Sequence, residues 1–294
     1  MSLVINHNLM AMTASRHLTA TYSRLSQSVA RLASGLRINS AADDAAGLAI
    51  REMMRTDIRV LNQGVRNAND ALSLIQTADG ALSVIDEKLT RMKELAEQAA
   101  TGTYTDVQRL IMDSEYQAMA SEITRIANAT DFNGVKLLDG SLSGGGFDGS
   151  AGNQMKIHFG TGNSSAEDYY YIRINAATAS ALGVGNAIDA TRAGYTISTQ
   201  AAAQQALEAI DAAITSKDNI RANLGALANR LANTITNLTI QAENLQAAES
   251  RISDVNVATE MTEFVRNQIL TQAAVAMLAQ ANALPQLALQ LIRG

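Results

Sequence analysis

Apolar residues recur in alternating steps of four and three near both ends of this 294-residue chain. The N-terminal set comprises Leu18, Tyr22, Leu25, Val29, Leu32 and Leu36. The C-terminal set comprises Leu270, Ala274, Met277, Ala281, Leu284, Ala288 and Leu291. Such spacing gives a helix one narrow apolar seam, which requires a partner helix. The pattern therefore predicts a self-assembly seam on each terminal helix. An intramolecular coiled coil of the two ends is the simpler alternative.

Helical periodicity and capping residues divide most of the remaining chain. The predicted helices lie at about residues 3–34, 41–100, 105–128 and 199–252. Gly35 is a plausible C-terminal stop for the first helix. Ser40 with Asp43 forms a capping-box-like start for the second, and Thr105 with Gln108 a start for the third.

Residues 131–195 have a different character, with turn dipeptides such as Asn133-Gly134. Alternation over residues 155–159 and 170–174 predicts a β-hairpin. The fold class is therefore mostly α, with a long antiparallel helical bundle or coiled coil formed from both termini and a small β-hairpin in the middle. We expect one domain from residues 1–40 plus 255–294. A helical rod over 41–254 forms the second and includes the variable segment at about 141–195.

Composition excludes several classes of protein. The chain has no cysteine, which removes disulfides and thiolate metal sites. Its net charge of −5 and scattered Lys and Arg residues give no footprint for nucleic acid. A single proline leaves nearly the whole chain free to be helical. The N-terminus lacks the positive region and cleavage site of a signal peptide, so export is expected to use a route without a cleaved signal.

No catalytic cluster is visible. His7, His17 and His158 are far apart in sequence and lie beside no carboxylate or serine pattern. Asp43 and Asp44 lack further ligands at metal-site spacing, and helix-start charge explains them better. The sequence predicts neither an enzyme nor a cofactor or metal site.

The stretch 267–292 carries no charged side chain and is long enough to span a bilayer. It also contains seven side-chain amides, which would each need a polar partner in hydrocarbon. The amides are Asn267, Gln268, Gln272, Gln280, Asn282, Gln286 and Gln290. A buried protein–protein surface is therefore favoured over a membrane span. We expect both ends to be loose in the monomer and to fold when neighbouring copies cover them.

Seven short motifs resemble bacterial flagellin. They are MSLVIN at 1–6, LASGLRINS at 32–40, DDAAGLAI at 43–50, FNGVK at 132–136, RISDV at 251–255, ATEM at 258–261 and AQAN at 279–282. The resemblance covers about residues 1–140 and 195–294, while the middle matches loosely.

This resemblance implies a structural subunit that polymerises with copies of itself into the extracellular flagellar filament for swimming. In the family the paired termini form an inner tube and the following helices an outer tube. The resemblance also implies export by the flagellar type III route. The implied partners are an export chaperone, the filament cap protein and the hook-junction proteins. A hook–filament junction protein is the nearest alternative, and a secreted membrane-inserting protein is one from another class.

One further feature is implied by the resemblance. Residues 89–98 are similar to the family segment that a flagellin-sensing Toll-like receptor of vertebrates recognises. The matching positions are Arg91, Leu95, Gln98 and, from the next helix, Glu115. Packing between subunits is the alternative role for these residues.

Overall fold

A computed structural model describes residues 7–144, 154–165, 167–185 and 195–293, with side chains up to residue 283. The described chain is mainly helical, which confirms the predicted fold class. Its helices are α1 (Leu9–Ser34), α2 (Ala45–Ala100), α3 (Asp106–Ala129), α4 (Ala179–Leu182), α5 (Gln200–Ser253) and α6 (Val257–Arg293). Its strands are β1 (Asp131–Phe132), β2 (Val135–Lys136), β3 (Met155–His158) and β4 (Tyr169–Ile172).

The helix ends follow local capping chemistry. Gly35 ends α1 in the left-handed conformation (φ 71°), as predicted, because glycine adopts positive φ without steric cost. The predicted capping box at the start of α3 is confirmed, since Thr105 and Gln108 exchange side-chain and backbone hydrogen bonds. The start of α2 differs from the prediction. Asp44 Oδ1, not Ser40, accepts the hydrogen bond from the Gly47 N–H at 2.9 Å.

Two antiparallel hairpins account for the strands. The first turns through Asn133 (φ 51°) and Gly134 (φ 80°), as an Asn-Gly dipeptide favours. The second is the predicted hairpin, in which Met155 pairs with Ile172 and His158 with Tyr169. Residues 145–153, which include part of the Gly144–Gly146 run, lie outside the described residues.

The chain divides into two compact units. The terminal unit comprises residues 1–58 and 243–294, and the central unit comprises residues 59–242. The apolar core belongs to the central unit, where α2, α3, α5 and the β3–β4 hairpin pack together. Its largest fully buried apolar side chains include Leu82, Ile85, Leu89, Met92, Ile123 and Leu137.

The hairpin lies very close to α2 at one point in the central unit. A Cβ placed on Gly64 would lie 2.1 Å from the carbonyl oxygen of Phe159, so only glycine permits this approach. Next to it, Asn67 Nδ2 donates to the carbonyl oxygen of His158 at 2.8 Å. The lack of a side chain at Gly64 thus lets the hairpin approach α2, and the side-chain amide of Asn67 holds it there.

In the terminal unit, α1 and α6 pack against each other in antiparallel orientation. Asn8 Nδ2 donates to the carbonyl oxygen of Ala281 (2.7 Å) at one end of the pair. At the other end, the Arg37 N–H donates to the Ser253 carbonyl oxygen at 2.7 Å. The predicted antiparallel pairing of the two termini is therefore present within one chain.

Candidate assembly surface of the terminal helices

The contact between α1 and α6 is made by small and polar side chains as much as by large apolar ones. On α1 the half-buried or buried positions recur at steps of three and four through Ala11, Ala14, Leu18, Thr21, Leu25, Ser28 and Leu32. On α6 the corresponding positions are Phe264, Asn267, Thr271, Ala274, Leu278 and Ala281. Small residues at such positions let two helix backbones approach closely, but they bury little apolar area.

The N-terminal residues of the predicted seam fall into two groups. Leu18, Leu25, Leu32 and Leu36 are half-buried. Tyr22 and Val29 are instead 65% and 47% exposed. The inward positions next to them are occupied by Thr21 and by Ser28, which is buried.

The C-terminal residues of the predicted seam divide in the same way. Ala274 is half-buried and Ala281 is buried, whereas Leu270 and Met277 are 43% and 62% exposed. The inward positions beside these two are occupied by Thr271 and Leu278. The side chains of Leu284, Ala288 and Leu291 lie outside the described residues.

The inward face of the α1–α6 pair cannot be found from the spacing of apolar residues alone. The inward face keeps the heptad step but passes through polar residues such as Thr21, Ser28 and Asn267. The sequence signal for this inward face was the recurrence of polar residues at heptad positions. A single polar residue at such a position often specifies which partner and register a helix adopts.

Large apolar side chains consequently remain on the outside of the terminal unit. On α1 the exposed ones are Leu9, Met10, Met12, Tyr22 and Val29. On α6 they are Val257, Met261, Val265, Ile269, Leu270, Val275 and Met277. Between the two helices, a groove of about 560 Å³ is bordered by Met10 and His17 on one side and by Leu270 and Met277 on the other.

The segment that joins α1 to α2 is fixed by polar contacts. Asp43 accepts hydrogen bonds from the Gln27 side chain (2.6 Å) and from the Ser40 N–H (3.0 Å), and these bonds hold its pKa below the usual value. Arg31 lies 3.9 Å from Asp43 and 3.7 Å from Glu260, so it links this segment to the start of α6. Asp43 and Asp44 thus serve local structure.

The four receptor candidates lie in the central unit, on or beneath the surface of α2 and α3. Arg91 forms ion pairs with Glu94 (2.9 Å) and with Glu115 of α3 (2.9 Å), and these bonds raise its pKa. Gln98 is exposed and donates to the Tyr104 hydroxyl at 2.8 Å. Leu95 is only 2% exposed and belongs to the core. The structure therefore brings Arg91 and Glu115 together but places Leu95 below the surface.

Two properties of the described residues bear on other classes of function. Nowhere in this part of the chain do three or more His, Cys, Asp or Glu side chains group so as to hold a metal ion. Among its helices, none has the length and apolar character needed to cross a membrane.

The chain matches two family models that together span most of its length. The model for the bacterial flagellin N-terminal helical region matches residues 5–143, and that for the C-terminal helical region matches residues 207–292. This chain belongs to the bacterial flagellin family. Members of the family are structural filament subunits and not enzymes.

Two curated flagellins agree with this assignment over the full length of the chain. Flagellin from Halalkalibacterium halodurans is 42% identical over 99% of this chain and 100% of its own. Flagellin from Bacillus subtilis is 43% identical over 98% of this chain and 99% of its own. A crystal structure of Bacillus cereus flagellin is 31% identical, covers 63% of this chain and 94% of its own, and has a TM-score of 0.47.

Proposed function

We propose that this chain polymerises into the flagellar filament of a swimming bacterium and that the outer faces of α1 and α6 are its main contacts with other copies. The single observation that carries this proposal is the placement of large apolar side chains. They lie on the outside of a helix pair whose inner face contains Thr21, Ser28 and Asn267.

The energetics favour coverage of these faces by other subunits. Burying one large apolar side chain contributes about 1.5–3 kcal/mol, and contiguous exposed apolar surface on a soluble chain marks an interaction site. The α1–α6 contact by itself gains less, because alanine, threonine and serine supply little apolar area. The terminal helices are therefore expected to be the least stable part of the monomer and to gain most on assembly.

The separation of the chain into a terminal and a central unit supports an assignment of roles, although the units divide after residues 58 and 242 and the roles after residues 40 and 254. We assign residues 1–40 and 255–294 to the inner tube and residues 41–254 to the outer tube, with an extracellular location after type III export. The export chaperone is expected to cover the exposed apolar face of α6 before assembly. The filament cap and the hook-junction proteins are the expected neighbours at the filament ends.

Seeded polymerisation of the purified chain, followed by electron microscopy, tests the proposal. The full chain should grow long filaments, and a chain ending at Asn267 should remain monomeric. The double variant Ile269→Gln/Met277→Gln should raise the critical concentration at least tenfold, because two apolar contacts are lost at each copy. Gln272→Asn, an exposed polar position on the same helix, is the matched control and should polymerise normally.

Other outcomes would select the alternatives. Short rings or closed oligomers from the full chain would favour the hook–filament junction protein. Co-flotation with liposomes would favour the membrane-inserting protein. Filaments from the truncated chain would show that the main contacts lie outside residues 268–294.

We further propose that the α2–α3 surface around Arg91 and Glu115 is recognised in the monomer by the flagellin-sensing Toll-like receptor. The proposal is supported by the ion pair between the two residues, which presents one charged, half-exposed surface. Arg91→Ala and Glu115→Ala should weaken receptor activation while leaving the fold intact. Leu95→Ala should act only through stability, because its side chain is buried. Unchanged potency of the Arg91→Ala/Glu115→Ala variant would remove this role.

A further inference from the structure

The turn of the first hairpin carries a chemically reactive dipeptide. Asn133-Gly134 is the only Asn-Gly pair in the sequence, and it forms the two-residue turn between β1 and β2. Both residues are exposed to solvent. An asparagine that precedes a glycine is prone to lose its side-chain amide, because glycine has no side chain to shield its own backbone nitrogen from the neighbouring amide carbon. The assembly role proposed above makes no use of this turn.

The backbone of the turn holds the two reacting atoms apart. Among the described residues, Asn133 is the only one other than glycine with a positive φ, 51°. In this left-handed region ψ is also positive, about 30–60°, which turns the Gly134 nitrogen away from the Cβ of Asn133. A bond between that nitrogen and the Cγ of Asn133 requires ψ to rotate until the nitrogen eclipses Cβ. The turn must therefore open before the reaction can occur.

A carboxylate binds the attacking group in the closed turn. The Gly134 N–H donates to Oδ2 of Asp131 at 3.0 Å. This nitrogen becomes a nucleophile only when it loses its proton, and a negative charge at this distance disfavours the resulting amide anion. The same hydrogen bond opposes rotation of the peptide group between Asn133 and Gly134. Asp131 is thus placed to slow the reaction in two ways.

From this geometry we infer that Asn133 is a site of spontaneous deamidation that is closed in the folded hairpin, and that Asp131 keeps it closed. When the turn opens, the Gly134 nitrogen bonds to the Cγ of Asn133, and its proton leaves with the side-chain amide as ammonia when the Cγ–Nδ2 bond breaks. Water then opens the five-membered succinimide ring at either carbonyl. The products are aspartate and isoaspartate at this position.

The reaction makes a transient opening of the hairpin permanent. Isoaspartate places one additional carbon in the main chain, so the two-residue turn and the pairing of Phe132 with Val135 cannot form again as before. Phe132 packs against the core of the central unit, which couples the turn to the core. Each product also adds a negative charge two residues from Asp131. The extent of deamidation therefore records how long the hairpin has been open.

The site is tested on the full-length monomer without seeds, so its outcome does not depend on filament formation. The chain is incubated at mildly alkaline pH, either folded or in guanidinium chloride, and peptide mapping by mass spectrometry follows the loss of the amide at Asn133. A protein isoaspartyl methyltransferase measures the isoaspartate product. Conversion in the folded chain should be at least tenfold slower than in the unfolded chain, because it waits for local opening. Equal rates in the two states would overturn the inference.

Two variants of Asp131 test the role of its carboxylate. The side chain is exposed, so its replacement does not put the core at risk. Asp131→Ala should raise the rate in the folded chain about tenfold, because a hydrogen bond to a charged acceptor is lost. Asp131→Asn keeps a side-chain oxygen as acceptor and should raise the rate by less. Each rate is divided by that of the same variant in denaturant, so that effects on the intrinsic chemistry cancel.

The matched control is Lys136→Ala, which changes the exposed residue paired with Asp131 in the hairpin. It removes a side chain from the same hairpin without touching the Gly134 N–H, and it should leave the rate unchanged. An unchanged rate in Asp131→Ala would overturn the inference. An equal acceleration in Lys136→Ala would do the same, because the protection would then come from the hairpin in general and not from Asp131.

Discussion

The central and terminal units of this chain are both helical, yet they bury opposite kinds of residue. In the central unit, Leu82, Ile85 and Leu89 are completely buried among apolar neighbours. In the terminal unit, Ser28 and Asn267 are buried, whereas Tyr22 and Met277 are more than 60% exposed. The central unit therefore buries its large apolar side chains within one chain, whereas the terminal unit leaves many of its large apolar side chains exposed.

Under the assembly role proposed above for the outer faces of α1 and α6, this difference separates a stable central unit from a terminal unit that depends on other copies. A helix pair held by small and polar contacts is weak, because helices obtain most of their stability from the burial of an apolar face. In the proposed filament, the same pair would gain that burial when copies of the chain cover its outer faces. Folding of the terminal helices and assembly of the filament are thus expected to be coupled.

The largest effect is expected from matched leucine truncations in the two units. Leu89→Ala removes a fully buried side chain and should lower the free energy of unfolding of the monomer by about 2–5 kcal/mol. Leu270→Ala, at a position 43% exposed, should change it by less than about 0.5 kcal/mol but should slow polymerisation. Urea denaturation and seeded growth measure the two properties. Similar losses of monomer stability would contradict the comparison.

Two glycines test the packing of the central unit. Gly64→Ala should cost about 1–3 kcal/mol, because the new Cβ meets the carbonyl of Phe159. Gly80→Ala is the control, since a Cβ there meets nothing within 4 Å. In a helix interior this change should stabilise the chain by about 0.5–1 kcal/mol. Thermal unfolding of the two variants should shift in opposite directions, and shifts of the same sign would show that the hairpin does not hold this position against α2.

The buried lysine of α5 should show a smaller effect. Lys217 is 2% exposed and pairs with Asp86 at 2.5 Å and Asp218 at 2.7 Å. Asp86→Ala should lower the free energy of unfolding by only about 1 kcal/mol, because Asp86 is itself 40% exposed and Asp218 still pairs with Lys217. Lys217→Met should leave the free energy of unfolding nearly unchanged, because it removes the buried charge that Asp86 and Asp218 neutralise. If urea denaturation showed that Lys217→Met lowers the free energy of unfolding more than Asp86→Ala does, this ranking would be contradicted.

The smallest effect concerns pH and compares one aspartate from each unit. Hydrogen bonds from the Ser164 and Gly162 N–H groups lower the pKa of Asp168, and those from Gln27 and Ser40 lower the pKa of Asp43. Because both pKa values are lowered by folding, the stabilisation is present above the unfolded value of about 4 and is lost as the pH falls through the folded values. Amide exchange at Gly162 and Ser40 should increase only below about pH 4. Asp168→Asn and Asp43→Asn should each abolish this dependence locally, and an unchanged pH profile in either variant would contradict the assigned cause.

Much of the fold follows from local sequence chemistry. Gly35, the Thr105–Gln108 capping box, the Asn133-Gly134 turn and the alternation in β3 each predict their own structure, because each depends on near neighbours. The inward face of the terminal helices is different. Its register depends on which face the partner helix presents, and Thr21, Ser28 and Asn267 carry no apolar signal.

Hydrogen exchange measured on the dilute monomer and on the filament tests the central claim most directly. The account predicts slow exchange in both states along those parts of α2 and α5 that lie within residues 59–242. It predicts fast exchange along α1 and α6 in the monomer and strong protection of both helices in the filament. Terminal helices as well protected as Leu89 and Ile123 in the dilute monomer would contradict it. Terminal helices that gain no protection on assembly would also contradict it.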